Sequence, residues 1–302
     1  MSRVVVALGG NALLQRDERP GAQVQYHHVE AAAVPLAAIA AGNELIVTHG
    51  NGPQVGLLAL ESAADPDLEA PYPFDTLGAE TQGMIGYWLA QALRNASGGR
   101  EVVALVTQTV VDPGDPAFGQ PTKFVGRPYD EAEARALAAA RGWAVRPDGG
   151  RWRRVVPSPE PLELVEVAVL ERLVVAGVVP VCAGGGGVPV VREGGRLRGV
   201  EAVVDKDLAS ALVARVLGAQ TLVMATDVAH VELDYGTPAA RPLERATPRE
   251  LAAMSFAAGS MGPKVEAARR FVAATGGRAA IGALEELEGL VAGTAGTQVV
   301  PD

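Results

Sequence analysis

Val4-Val5-Val6-Ala7-Leu8-Gly9-Gly10-Asn11 decides how the rest of the chain is read. Five apolar residues, three of them β-branched, run without polar alternation. That pattern describes a short strand covered on both faces, as in a parallel sheet. Four more runs have the same character: Leu45–Thr48, Val102–Thr107, Val178–Cys182 and Thr221–Ala225. Between and after them the periodicity predicts helices over about Val24–Ala41, Gly52–Ala64, Thr76–Asn95, Leu162–Ala176, Asp207–Leu217, Glu250–Ala258 and Lys264–Ala274. Pro35 predicts a kink or break in the first of these. Strand–helix alternation of this kind argues for a doubly wound open sheet. Asp112–Pro157 departs from the rhythm. It is rich in Pro, Gly and Arg, with a helix expected over Asp130–Arg141 and short strands near Trp143–Arg146 and Trp152–Val156. Its length predicts a small inserted subdomain reaching over a cleft. A softer boundary falls near Gly218.

Glycines follow strand after strand: Gly9-Gly10-Asn11, Gly50-Asn51-Gly52 and Gly184–Gly187. In an open α/β sheet the C-terminal strand ends line the ligand crevice. Glycine turns there let backbone N–H groups and helix N-termini approach an anion, usually a phosphate. Several familiar chemistries are absent. No Gly-x-x-x-x-Gly-Lys-Ser/Thr loop, His-Glu-x-x-His pair or Gly-x-Ser-x-Gly elbow occurs, which argues against P-loop, zincin and α/β-hydrolase enzymes. Gly50–Gly56 resembles a stretched dinucleotide fingerprint, but lacks the acidic residue a ribose contact needs. The single Cys182 can form neither an internal disulfide nor a Cys-rich zinc site and reads as core filler. The four histidines form no ligand-spaced cluster. Trp143 and Trp152 with Arg153-Arg154 read either as a cover over a ligand or, the favoured reading, as core packing of the insertion.

The 302 residues carry 26 basic and 35 acidic side chains, a net charge of −9. Such a chain lacks the basic field of a general nucleic-acid or anionic-membrane binder. Met1-Ser2-Arg3 and Val4–Leu8 are too short for a signal-peptide core, and no apolar run approaches the roughly 20 residues of a membrane span. A soluble cytoplasmic protein is therefore expected. Only three of the basic residues are lysine: Lys123, Lys206 and Lys264. All three occupy Gly-, Pro- or Asp-containing stretches at element ends. A helix N-terminus is the wrong place for a cation unless an anion lies between them. A compact ammonium suits a transferring phosphoryl group, which needs positive charge on its oxygens and little covalent help. Asp207 reads equally as a helix N-cap and as a carboxylate orienting ammonium groups. Asp227, just past a strand end, either faces a nucleotide or starts a turn.

Taken in order, the motifs resemble the carbamate kinases of the amino acid kinase family. The matching stretches begin with Ala7–Leu13, Thr48–Gly56 and Gly78–Gly83, followed by Pro121-Thr122-Lys123 and Arg154–Pro159. Gly184–Gly187, Val204-Asp205-Lys206-Asp207 and Gly259–Lys264 complete the series. The resemblance runs from residue 4 to about 297. It implies an open αβα sandwich with a mostly parallel central sheet, two lobes and a protruding subdomain over about residues 112–157. Residues 1–218 would carry the carbamate side and 219–302 the nucleotide side. It further implies a homodimer and reversible transfer between ATP and carbamate, with magnesium carried by ATP rather than by a protein metal site. Such enzymes commonly run towards ATP in arginine or purine breakdown.

Carried over by position, Lys206 and Lys264 would neutralise the phosphoryl group in flight, and Asp207 would hold those lysines. Lys123 would supply the charge that many relatives place in the first strand, where this chain has Val6-Ala7-Leu8. Gly9, Gly10, Asn11, Gly50, Asn51 and Gly52 would receive carbamate and phosphate, and Asp227, Met261 and Gly262 the nucleotide. Two stretches depart from the family pattern. Pro121-Thr122-Lys123-Phe124 replaces Pro-Thr-Lys-Pro, and Thr226–Glu232 replaces Thr-Asp-Val-Asp-Gly-Val-Tyr beside the base and ribose. The same fold acting on another small acid, or a non-catalytic anion-binding module, are the alternatives.

Overall fold

A computed structural model describes residues 1–10, 13–14, 18, 21–256 and 261–302. The chain runs β1 (Ser2–Leu8), α1 (Ala22–Gly42), β2 (Asn43–His49), α2 (Gly52–Ala64), α3 (Phe74–Ala96), β3 (Val102–Ala104) and β4 (Gln108–Val110). It continues with β5 (Lys123–Tyr129), α4 (Glu131–Arg141), β6 (Ala144–Asp148), β7 (Arg151–Val156), β8 (Glu163–Leu164), α5 (Val167–Val175) and β9 (Val179–Cys182). Then come β10 (Val188–Glu193), β11 (Arg196–Gly199), α6 (Lys206–Val216), β12 (Thr221–Thr226), β13 (Val231–Leu233), β14 (Arg241–Leu243) and β15 (Arg245–Ala246). The last elements are α7 (Pro248–Ala252), α8 (Met261–Thr275), β16 (Arg278–Ala283), α9 (Leu287–Ala292) and β17 (Thr297–Val299).

The main sheet has the order β15-β17-β16-β12-β1-β2-β9-β3, parallel from β16 across to β3. All five strands expected from their apolar runs lie in it. β1 is buried on both faces, as its lack of alternation requires. Val5 and Ala7 pack on one side with α5, α6 and α8, while Val4, Val6 and Leu8 pack on the other with α1, α3 and α9. This is the αβα sandwich. β12 adds beside β1, so one sheet continues across the Gly218 boundary.

Several details differ from the sequence reading. The helix expected over Glu250–Ala258 starts earlier and ends at Ala252, with residues 257 and 258 outside the described residues. α1 runs through Pro35 without a break. The one donor that proline lacks is outweighed by the burial of Ala32, Ala33 and Leu36 on the same helix. The run at Val102 gives only three residues to the main sheet, and the chain then feeds β4 into a second sheet ordered β11-β10-β4-β8. For the same reason the helix expected from Leu162 begins at Val167, because Glu163 and Leu164 pair with β4. Residues 123–156 form a separate sheet, β5-β7-β6, with α4 packed against it. No described helix is long and apolar enough to cross a membrane.

Candidate active site

β1 is the point where strand order reverses. The chain first builds outward through β2, and later returns to add β12 on the other flank. At such a switch point the connections diverge and leave a crevice beyond the C-terminal strand ends. Gly9 and Gly10 follow β1 into it. The Gly9 N–H donates to the Ala225 carbonyl at 3.0 Å, and the Gly50 N–H to the Leu8 carbonyl at 3.0 Å. A Cβ on Gly50 would lie 2.8 Å from the Gly10 nitrogen, so these two turns touch only because Gly50 lacks one. Asn51 occupies the N-cap position of α2, but its side chain makes no capping bond. Instead its amide donates to Thr81 Oγ1 at 2.8 Å. The turn Gly184–Gly187 is pressed against protein: Gly185 has φ +63°, and a Cβ there would meet the Asn51 amide at 2.2 Å.

The N-terminus of α6 carries the charge. Asp205 is its N-cap, with Oδ1 accepting from the N–H of Asp207 at 2.9 Å and of Leu208 at 3.3 Å. Asp207 is therefore not the cap, and of its two sequence readings the geometry selects the second. Its Oδ1 accepts from Lys206 Nζ at 2.7 Å and its Oδ2 from Lys264 Nζ, on α8, at 3.3 Å. Lys123, at the start of β5, reaches Asp205 Oδ2 at 2.6 Å. Among the described residues three ammonium groups thus stand with two carboxylates at the N-terminal, dipole-positive end of α6. Burial alone would raise the Asp207 pKa. The ammonium groups of Lys206, Lys264 and Lys123 overcome it and hold the carboxyl at about 2. Burial pulls the Lys206 pKa down, Lys264 adds to this, and Asp207 opposes it.

Two polar side chains below this cluster fix its floor. Ser210 Oγ donates to the Lys206 carbonyl at 2.6 Å, so the Thr48 hydroxyl, 2.7 Å away at the end of β2, donates to Ser210. On the other side of β1, Asp227 follows β12 directly and accepts from Thr226 Oγ1 at 3.1 Å. Met261 and Gly262 open α8, one turn ahead of Lys264.

The fold and the sequence can be compared with those of known proteins. The model of the amino acid kinase family matches residues 2–282. A carbamate kinase of Rhizobium meliloti is 51% identical over 299 residues, covering 98% of this chain and 92% of its own. Among solved structures, carbamate kinase from Giardia lamblia bound to citric acid superposes with a TM-score of 0.93 at 43% identity, covering 100% of this chain and 99% of its own. The same Giardia enzyme bound to AMP-PNP gives 0.91 at 43% identity with the same coverage. The chain belongs to the amino acid kinase family, among its carbamate kinases. It is a phosphotransferase.

Lys123, Lys206, Asp207 and Lys264, expected together from sequence, are joined in one network through Asp205 and Asp207. Gly9, Gly10, Gly50, Asn51 and Gly52 lie at the same end of the parallel sheet, and Asp227 at the end of the adjoining strand. Asn11 lies outside the described residues. The sequence reading missed Asp205, although an aspartate immediately ahead of a helix is an N-cap signal. It also missed the Thr48–Ser210 pair, which joins residues far apart in the chain. His49 is a buried structural ring whose Nδ1–H donates to the Gly50 carbonyl at 3.0 Å. Arg154, read from sequence with Trp143 as packing of the insertion, reaches further. Its guanidinium lies over Trp143 at 4.5 Å and over Phe74, at the start of α3, at 4.7 Å. The tryptophan does pack the insertion, and through Arg154 it also ties that insertion to the body.

Proposed function

We propose that this protein catalyses ATP + carbamate ⇌ ADP + carbamoyl phosphate. The observation that carries the reading is Asp207 held between Lys206 and Lys264, from two different helices, at the end of the parallel sheet. In the forward direction a carbamate oxygen forms a bond to the γ-phosphorus as the bond to the ADP oxygen breaks. Negative charge moves through three equatorial oxygens, and positioned ammonium groups answer it without covalent involvement. Lys206 and Lys264 neutralise the phosphoryl group, Asp207 holds both ammonium groups in place, and Lys123 approaches from the outlying sheet. Gly9, Gly10, Asn11, Gly50, Asn51 and Gly52 receive carbamate and phosphate.

In this reading residues 1–218 form the acceptor lobe, with a protruding subdomain over about 112–157. Residues 219–302 form the nucleotide lobe, with Asp227, Met261 and Gly262 at the nucleotide. The AMP-PNP held by the Giardia relative supports a nucleotide here. Magnesium fits as an ion carried in on the nucleotide phosphates. No group of three or more His, Cys, Asp or Glu side chains able to hold a metal ion stands among the described residues. The carboxylates of Asp205 and Asp207 are engaged by ammonium groups. When bound, the ion supplies further positive charge to the phosphate oxygens. We further propose a cytoplasmic homodimer that works towards ATP in arginine or purine catabolism.

Purified protein supplied with ADP, magnesium and carbamoyl phosphate should form ATP in a coupled spectrophotometric assay. Folded protein that binds both ligands and forms none overturns the reading. Faster turnover with another acyl phosphate would reassign the acceptor while keeping the phosphotransferase chemistry.

A further inference from the structure

Lys123 belongs to the outlying sheet, whereas Lys206, Asp207 and Lys264 sit on helices of the main sandwich. A lysine side chain carries four rotatable carbons, and ordering it costs rotamer entropy. Lys123 is also the most exposed of the three lysines, at 34% of its side chain against 11% and 12%. Something must hold its ammonium group where the others are. Among the described residues its carboxylate partner is Asp205, whose Oδ2 lies 2.6 Å from Nζ.

We infer that Asp205 is a positioning residue for phosphoryl transfer, which fixes the Lys123 ammonium group against the N-terminus of α6. The inference rests on the reading of Lys123 given above. Its basis is the division of labour between the two oxygens of one buried carboxylate. Oδ1 is locked by the N–H groups of Asp207 and Leu208. With that oxygen pinned, the carboxylate plane cannot swing, and Oδ2 becomes a fixed acceptor beside Lys206. The backbone supports the same placement. Lys123 is paired in register with Val156, and the Pro157 carbonyl just beyond accepts from the Val203 N–H at 2.9 Å. The strand pair carrying Lys123 is thus tied to the loop that carries Asp205. An ammonium group has three donors. One spent on Asp205 leaves two for phosphoryl oxygens, so the ion pair persists through transfer.

A capping aspartate with no further role makes a different prediction. Asn and Ser cap helices nearly as well as Asp, so Asp205→Asn and Asp205→Ser keep the α6 cap and remove the charge that holds Lys123. Each should lower kcat for ATP formation by roughly 10- to 100-fold, the scale expected for a misplaced reacting group. Thermal unfolding midpoints should stay close to that of the parent. Lys123→Ala should lower kcat at least as much. Adding either Asp205 substitution to Lys123→Ala should then change kcat by less than about twofold, because residues acting through one contact are not additive. Parent protein that forms no ATP overturns the proposed function. Lys123→Ala turning over at the parental rate overturns the role of Lys123. A full multiplicative loss from Asp205→Asn in the Lys123→Ala background overturns the positioning role alone. So does a rise in kcat on Asp205→Asn, which would mean that the pair restrains Lys123.

Discussion

Lys206 and Lys264 stand on different helices, yet one carboxylate, that of Asp207, accepts from both of their ammonium groups. Asp207 is buried and the two lysine side chains are only 11% and 12% exposed, so the geometry tolerates little change in head-group shape. Arginine keeps the charge but spreads it over a planar fork that cannot occupy the same point beside Asp207. Lys206→Arg and Lys264→Arg should each lower kcat on the order of 10²-fold, the loss typical of one misplaced charge stabiliser. The coupled ATP assay measures this, and parental rates in both variants would remove the case for lysine in particular. That these lysines stand out was legible in the sequence, since each lies at an element end in a chain that otherwise uses arginine. Which aspartate caps α6 was not. Asp205 and Asp207 are both plausible caps in one dimension, and only the backbone N–H groups of Asp207 and Leu208, which donate to Asp205, separate them.

Between elements, the approach of α2 to β5 sets where Lys123 sits. Gly56 on α2 faces Gly126 on β5, and a Cβ added at Gly56 would lie 2.5 Å from the Gly126 Cα. Neither atom belongs to a flexible side chain, so backbone must move. Gly56→Ala should destabilise the fold by about 1–3 kcal/mol and also depress kcat, because the strand bearing Lys123 is displaced. Gly83→Ala, at an exposed site on α3 with nothing within 4 Å of the new Cβ, should instead stabilise by roughly 0.5–1 kcal/mol with turnover unchanged. Urea unfolding paired with kinetics distinguishes the two. A loss of stability at Gly56 without any loss of kcat would uncouple this contact from catalysis. Periodicity located α2 to the residue, but left β4, β5 and β8 unread. These short pieces owe their conformation to partners in a second and a third sheet, and three residues of β4 hold too little pattern to announce a strand.

At the scale of the molecule, the buried face of the main sheet makes stability depend on pH through His49. Burial lowers its pKa from 6.5 to about 4, the Lys206 charge adds to this, and the bond to the Gly50 carbonyl opposes it. Between those two values the unfolded chain binds a proton that the folded protein refuses. Stability therefore falls as pH drops from about 6.5 to about 4, by roughly 3 kcal/mol in all, and His49 takes nothing further below that. His49→Gln should flatten this part of the curve of unfolding free energy against pH. An unchanged slope in the variant would show that other groups set it.

The sequence by itself determined the parallel αβα architecture, because strands covered on both faces must be apolar throughout and helices must show their period. It also singled out Lys123, Lys206 and Lys264, because three lysines among 26 basic residues stand out. The tertiary structure alone decided which groups meet. It joined the Asp205 cap to Lys123, set Asp207 between lysines of two helices, and turned Arg154 into a tie between the outlying sheet and α3. The physical reason is that charge pairing and close packing act through a few ångströms of space. The partners in these contacts lie as many as 82 residues apart along the chain.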